Sequence, residues 1–210
     1  MINTKDQEEL FKLIAEYLEK DIECFAIGGT AMMFASYKNT TKDIDLVFKT
    51  IEDRNVFIKA IEKLGYSNKA IGNIYDNKRK ELFSKPLIYS RGEERFDLFV
   101  DSVFGFKLDF LTFVQKHEFI GKQELILFVP IFELLILLKS ITRREKDFED
   151  IVTIIKTEKI IDWSFIVKNA IKQKNNLPWI LIDLEDTMQK LRSITLIKQK
   201  YFDELYSAQN

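Results

Sequence analysis

The apolar positions of residues 1–65 follow two different periods. Apolar side chains at helical spacing predict three helices, and Gly65 is a natural end for the last of them. A short apolar run and an alternating run predict two strands between these helices. The predicted elements are a helix over 5–19, a strand over 24–27, a helix over 30–37, a strand over 43–48 and a helix over 51–64.

The next part of the chain is less regular. Polar residues dominate 66–83, which predicts irregular structure or weak strand. The segment 104–114 fits either period, with a helix slightly favoured. Two pairs of short strands are expected around turns. They are 87–90 with 96–100, around 91–93, and 119–120 with 125–129, around Gly121.

Only the helical period continues after Pro130, which suits the first turn of a helix. Helices are expected over 131–143, 147–155, 162–171, 177–191 and up to about 206. The fold class is therefore α+β, a mixed sheet flanked by helices, followed by a C-terminal helical bundle. We expect an α/β core over 1–129 and a helical region over 130–210 that packs on this core.

Composition narrows the possible chemistry. The 210 residues carry 32 basic and 33 acidic side chains, so no global positive charge indicates a nucleic-acid-binding surface. The single Cys24 and the single His117 exclude a disulfide framework and make zinc or histidine-triad chemistry improbable. The most apolar stretch, 125–138, is too short and too interrupted to span a membrane. A cytoplasmic protein without a membrane partner is expected.

Gly28, Gly29 and Thr30 lie where a predicted strand meets a predicted helix. Glycines at such a junction let backbone N–H groups approach a phosphate closely. The turn is a candidate phosphate site, although Gly-Gly turns are common.

Asp43 and Asp45 lie two residues apart on a predicted strand, so their side chains share one face. Neighbouring carboxylates repel each other unless a cation lies between them, and Mg²⁺ prefers such oxygen ligands. The alternative is a solvent-facing strand with two acids.

Asp97 is an isolated acid in the later apolar strand over 96–100. With the first two aspartates it would complete a cluster able to hold two Mg²⁺ ions for phosphoryl transfer. Asp101, at the end of that strand, and Asp109, in the ambiguous segment, compete for this third position.

The combination of these motifs resembles the DNA polymerase β-type nucleotidyltransferase superfamily over roughly residues 22–101. The matching residues are Gly28-Gly29, Thr41-Lys42-Asp43-Ile44-Asp45-Leu46 and Arg95-Phe96-Asp97-Leu98-Phe99. Many members of the superfamily have Gly-Ser in place of Gly28-Gly29, so here Thr30 or backbone N–H groups are expected to replace the serine. The AbiEii-type toxin nucleotidyltransferases and their minimal relatives are similar to this chain in having Gly-Gly.

A further segment extends the resemblance to about residue 155. Pro130, Lys139 and the run Arg144-Glu145-Lys146-Asp147-Phe148-Glu149-Asp150 are similar to a helical segment of the AbiEii-type enzymes. Lys139, Arg143 and Lys146 fall at i, i+4 and i+7, which predicts one cationic helix face able to hold a triphosphate. The alternative is a solvated face whose charges pair with Asp147 and Asp150.

The resemblance implies a Mg²⁺- or Mn²⁺-dependent nucleotidyltransferase. Asp43, Asp45 and Asp97 would be both metal ligands and catalytic residues, and the glycine turn and the basic residues would bind an NTP. The acceptor stays open between a tRNA 3′ end and a hydroxyl of a partner protein, as in a toxin–antitoxin or abortive-infection system. A non-catalytic nucleotide-binding or interaction module, similar to an antitoxin, is the alternative, and the oligomeric state is open.

Overall fold

The computed structural model describes residues 2–69, 85–108 and 113–209, with no account of the side chains of residues 113 and 114. The chain divides into two compact units, Met1–Pro130 and Ile131–Asn210. Each unit is described by itself. The packing of the helical region on the core stays a prediction.

The described part of the N-terminal unit combines helices with strands. Its helices are α1 (Thr4–Ala15), α2 (Gly28–Phe34) and α3 (Ile51–Lys63). Its strands are β1 (Ile2–Asn3), β2 (Ile22–Ala26), β3 (Thr40–Thr41), β4 (Asp43–Phe48), β5 (Ser67–Asn68), β6 (Leu87–Arg91), β7 (Glu94–Val100), β8 (Ser102–Val103), β9 (Phe106–Lys107), β10 (Phe113–Ile120) and β11 (Glu124–Pro130).

Most of these strands form one mixed sheet. Its order among the described residues is β10-β11-β2-β4-β7-β6-β5, with β8 and β9 attached beside β7. The pairs β11·β2 and β4·β7 are parallel, whereas β10·β11, β2·β4, β6·β7 and β5·β6 are antiparallel. β1 and β3 form a separate two-stranded antiparallel sheet. β4 and β7 are therefore neighbours at the centre of the main sheet.

Local sequence signals explain where two of the helices begin. The Asn3 side chain accepts from the backbone N–H of Asp6, whose carboxylate accepts from the Asn3 N–H, so a capping box begins α1. The Thr50 hydroxyl accepts from the N–H of Asp53 at the start of α3. Each cap satisfies a backbone donor that has no partner within the helix.

Aromatic side chains form much of the core of this unit. The ring of Phe57 lies 5.2 Å from that of Phe48 and 5.4 Å from that of Phe96, measured between centroids. Phe11 of α1 lies 5.2 Å from Phe119 of β10 in the same way. All but Phe119 of these five rings are fully buried, and Phe119 is nearly so. Their contacts hold α1 and α3 against the sheet.

The described residues of the C-terminal unit contain helices and no strand. The helices are α4 (Phe132–Ser140), α5 (Glu145–Thr157), α6 (Trp163–Gln173), α7 (Ile180–Leu191) and α8 (Gln199–Gln209). A mixed sheet with helices, followed by helices, confirms the predicted fold class. No helix within the described ranges is both long and apolar enough to cross a membrane.

The structure differs from the predicted elements in several places. The helix predicted over 5–19 ends at Ala15, and the helix predicted over 30–37 spans Gly28–Phe34. The helix favoured over 104–114 is wrong where that segment is described, because β8 and β9 form a small hairpin there and β10 begins at Phe113. The hairpin β10·β11 is therefore longer than expected. The helix predicted over 131–143 ends at Ser140, and Arg143 has a positive φ of 57°. Most of the polar segment 66–83 lies outside the described residues.

Candidate functional site

The predicted carboxylates of the core lie on two central parallel strands. Asp45 of β4 is in register with Asp97 of β7, and Asp43 is in register with Arg95. Neighbouring strands are about 4.8 Å apart, and side chains two residues apart on a strand share a face. The three aspartates therefore occupy one face of the sheet, as the sequence predicted. The intervening Ile44 is buried on the opposite face.

The glycine turn is fitted closely to this pair of strands. Gly28 has a φ of +56°, and a Cβ added to it would lie 2.4 Å from Oδ2 of Asp45. A Cβ on Gly29 would lie 2.2 Å from Oγ1 of Thr41. The space that each glycine leaves open is thus taken by a side chain of the protein itself. Gly28 lets the Asp45 carboxylate lie against the turn, and Gly29 does the same for the Thr41 side chain. This is a different use from the open phosphate approach expected from the sequence.

Two hydrogen bonds fix β4 to the same turn at Asp45. The Asp45 N–H donates to Oγ1 of Thr30 over 3.1 Å, and the Ile27 N–H donates to the Asp45 carbonyl over 3.1 Å. Thr30 is fully buried. Its hydroxyl therefore anchors the strand, and a contact of Thr30 with a nucleotide stays a prediction.

Arg95 is the residue of this site that sequence reasoning missed. Its Nε donates to Oδ1 of Asp97 over 2.6 Å, and its Nη2 donates to Oδ2 over 2.5 Å. The Asp97 side chain is 3% exposed and the Arg95 side chain 23%. A bidentate guanidinium–carboxylate pair of this kind fixes both the position and the orientation of the carboxylate. The signal was the spacing, because an arginine two residues before an acid on a strand lies on the same face.

The donor set of this face suits a hard divalent cation. Carboxylate oxygens from adjacent strands are the ligands that Mg²⁺ uses, and Asp43 and Asp45 are partly exposed to solvent. Within the ranges that the structure describes, no three or more His, Cys, Asp or Glu side chains are grouped so that they could hold a metal ion. In this arrangement both oxygens of Asp97 are bound by Arg95.

Of the two rival acids, Asp101 does not join this face. Asp101 follows β7 with a positive φ of 62°, is exposed, and pairs with Lys107 at 3.7 Å. Asp109 lies outside the described residues. Of the described candidates for the third position, Asp97 is the acid that stands in register with Asp45.

The three basic residues predicted to form one cationic helix face do not share a helical face, and that prediction is wrong. Lys139 lies in α4, Arg143 in the connection after it, and Lys146 in α5. The helical period is interrupted because Arg143 adopts a left-handed conformation and pairs through Nε with the buried carboxylate of Asp183. Lys146 is exposed. Substrate binding by these residues stays a prediction.

Lys139 belongs to a buried cluster of charges. Its Nζ donates to Oδ1 of Asp147 over 3.0 Å and to Oδ2 of Asp150 over 2.6 Å. Arg144 Nε and the Thr142 hydroxyl donate to the second oxygen of Asp147, over 2.6 and 2.7 Å. The side chains of the lysine and both aspartates are 5 to 7% exposed. The cluster joins α4 to α5, and it corresponds most closely to the sequence alternative in which these aspartates pair the basic residues.

No protein-family model matches the chain, and no curated protein matches it either.

Proposed function

We propose that this protein is a Mg²⁺- or Mn²⁺-dependent nucleotidyltransferase whose site is formed by Asp43, Asp45 and Asp97. One observation carries the proposal: Asp45 and Asp97 stand in register on adjacent parallel strands, with Asp43 on the same face. The glycine turn that abuts the Asp45 carboxylate supports it. Three acids concentrated on one face, with Arg95 as their basic neighbour, suit a site that works on a phosphate ester with bound cations.

Asp43 and Asp45 would hold the divalent cation, and Asp97 would contribute an oxygen when Arg95 releases one. When bound, such a cation supplies charge neutralisation for the triphosphate and activation of the acceptor oxygen. Mg²⁺ and Mn²⁺ both accept this oxygen donor set.

The residues of the chain itself would position the reactants. The two hydrogen bonds at Asp45 fix its backbone, and the bidentate contact at Asp97 fixes its carboxylate, before substrate arrives. In the reaction, the acceptor hydroxyl oxygen attacks the α-phosphorus of the NTP, the bond to pyrophosphate breaks, and the hydroxyl proton passes to Asp97. Guanidinium groups suit phosphate oxygens, so Arg95, once displaced, is positioned to pair with the triphosphate.

Two classes of acceptor molecule are compatible with the proposal. A tRNA 3′ end and a hydroxyl of a cognate toxin or antitoxin protein both provide the nucleophile that this chemistry needs. The nearly neutral chain, with 32 basic and 33 acidic residues, does not favour a large RNA surface, although small local basic patches would serve. The substrate is therefore proposed as an NTP with a macromolecular hydroxyl acceptor.

Labelled nucleotide transfer tests the proposal. The full chain is incubated with each α-labelled NTP, Mg²⁺ or Mn²⁺, and total tRNA or cell protein, and labelled product and pyrophosphate are measured. Asp45→Asn should lower the rate about 10²-fold or more, because it removes a charge from the site. Asp101→Asn is the matched control: it makes the same change at an exposed acid outside this face, and should retain the rate.

Full transfer by Asp45→Asn would refute the metal role of these carboxylates. A non-catalytic nucleotide-binding module is the second candidate, and the occupation of both Asp97 oxygens by Arg95 favours it. If the protein binds NTP in a Mg²⁺-dependent manner but releases no pyrophosphate with any acceptor, the non-catalytic module is the correct function.

A further inference from the structure

The strand β10 ends the main sheet and is one of its longest strands. It spans eight residues, and among the described residues it pairs only with β11. An edge strand presents alternate backbone N–H and C=O groups outward, and these can pair with a strand from another chain. β10 is therefore a candidate interaction surface, separate from the carboxylate face of β4 and β7.

The exposed side chains of β10 carry a particular order of charges. Lys116 and Glu118 are 42% and 46% exposed and form an ion pair of 2.5 Å within the strand. Ile120 follows on the same face and is 74% exposed. On the opposite face, the His117 ring lies 4.7 Å from that of Phe34, and Phe119 is buried. One face of β10 therefore packs against the core, and the side chains of the other face are exposed to solvent.

We propose that a second copy of this chain pairs antiparallel along β10, about a two-fold axis at His117. In this register each Lys116 stands opposite the partner copy's Glu118, so the same ion pair forms twice across the axis. The two sheets become one continuous sheet, and the interface is the same patch on both copies, as two-fold symmetry requires.

Neighbouring registers are disfavoured by the same charges. An antiparallel pair centred on Lys116 places two lysines opposite each other, and one centred on Glu118 places two glutamates opposite each other. A parallel pair in register opposes both like charges. Directly opposed charges on paired strands attract or repel measurably. The order Lys-His-Glu therefore selects one register, and that register is complementary to itself, which is why the partner is a copy of this chain.

Sedimentation velocity of the full chain, from about 1 to about 200 μM, tests the pairing through its dissociation constant Kd. Wild type should pass from monomer to dimer over this range. Lys116→Glu and Glu118→Lys should each raise Kd about tenfold or more, because each opposes like charges at both pairs. A 1:1 mixture of these two variants should associate again, since every pair across the mixed interface is then of opposite charge.

The controls keep the change in net charge but move it away from the edge. Lys12→Glu and Glu62→Lys alter exposed residues of α1 and α3 and should leave Kd within about twofold of wild type. A wild-type chain that stays monomeric throughout would overturn the proposal. So would a dimer that either edge variant leaves unchanged, or edge variants that fail to associate when mixed although circular dichroism shows them folded.

Discussion

Replacing Gly28 with alanine tests whether the glycine turn positions a catalytic carboxylate. Gly28 has a φ of +56°, a conformation that costs alanine about 1–2 kcal/mol. The new Cβ would lie 2.4 Å from Oδ2 of Asp45, so the carboxylate must move by about 1 Å to reach ordinary van der Waals contact. A carboxylate at the end of a side chain can move without unfolding the turn. The stability loss should therefore stay near the backbone cost, while the activity loss should be large.

A misplacement of about 1 Å at a reacting group can lower the rate about 10²-fold. Gly92→Ala is the matched control, because Gly92 has a φ of +58° and an added Cβ would meet nothing within 4 Å. Both variants should lose about 1–2 kcal/mol of unfolding free energy, and only Gly28→Ala should lose nucleotide transfer.

The loss of stability and the loss of activity can be measured separately. Trp163 and Trp179, the two tryptophans of the chain, lie in the C-terminal unit, so their fluorescence in urea follows that unit. Far-ultraviolet circular dichroism follows both units, so unfolding of the N-terminal unit is the part of its change that the tryptophan fluorescence does not share, and pyrophosphate release reports activity. The reasoning fails if Gly28→Ala transfers nucleotide as fast as wild type, or if Gly92→Ala loses as much activity as Gly28→Ala.

Two further predictions concern the buried charges of the C-terminal unit. Lys139→Met leaves Asp147 and Asp150 buried without their shared lysine and should lower the free energy of unfolding of this unit by about 3–5 kcal/mol, measured by tryptophan fluorescence in urea. Lys190→Met breaks an exposed ion pair and should change that free energy by less than about 1 kcal/mol; equal effects of the two variants would contradict a structural role for the cluster. Acid should weaken the same unit. Burial raises the pKa of Asp147, but Lys139, Arg144 and the Thr142 hydroxyl together lower it by more, so the pKa lies below the usual 3.8. The stability that this lowered pKa contributes is fully present above the usual pKa of 3.8 and is lost as the pH falls through the pKa of the folded state. The urea midpoint should therefore be lower at about pH 3 than at about pH 5. Equal midpoints would contradict this prediction.

Much of the carboxylate face was predictable from local sequence. A period of two places Asp43 and Asp45 on one face, and the glycine turn before them marks the strand-to-helix junction. The pairing of Asp45 with Asp97 depended instead on the order of strands in the sheet. That order is a tertiary property, which periodicity does not determine.

Other features had only a weak local signal. The bidentate contact between Arg95 and Asp97 needs both rotamers, which strand periodicity does not determine. Arg143 adopts a left-handed conformation and pairs with Asp183, forty residues later, and the helical period of the sequence indicates neither feature. The segment 104–114 was misjudged because short hairpin strands and a helical turn are hard to distinguish in a run of mixed periodicity.

The ion pair between Arg95 and Asp97 also bears on how the protein can be handled. A buried carboxylate that depends on a bound metal destabilises the fold when the metal is removed. Here a guanidinium of the same strand already neutralises the most buried acid of the site. Purification in the presence of a chelator should therefore leave the N-terminal unit folded, and addition of Mg²⁺ alone should raise its melting temperature only slightly.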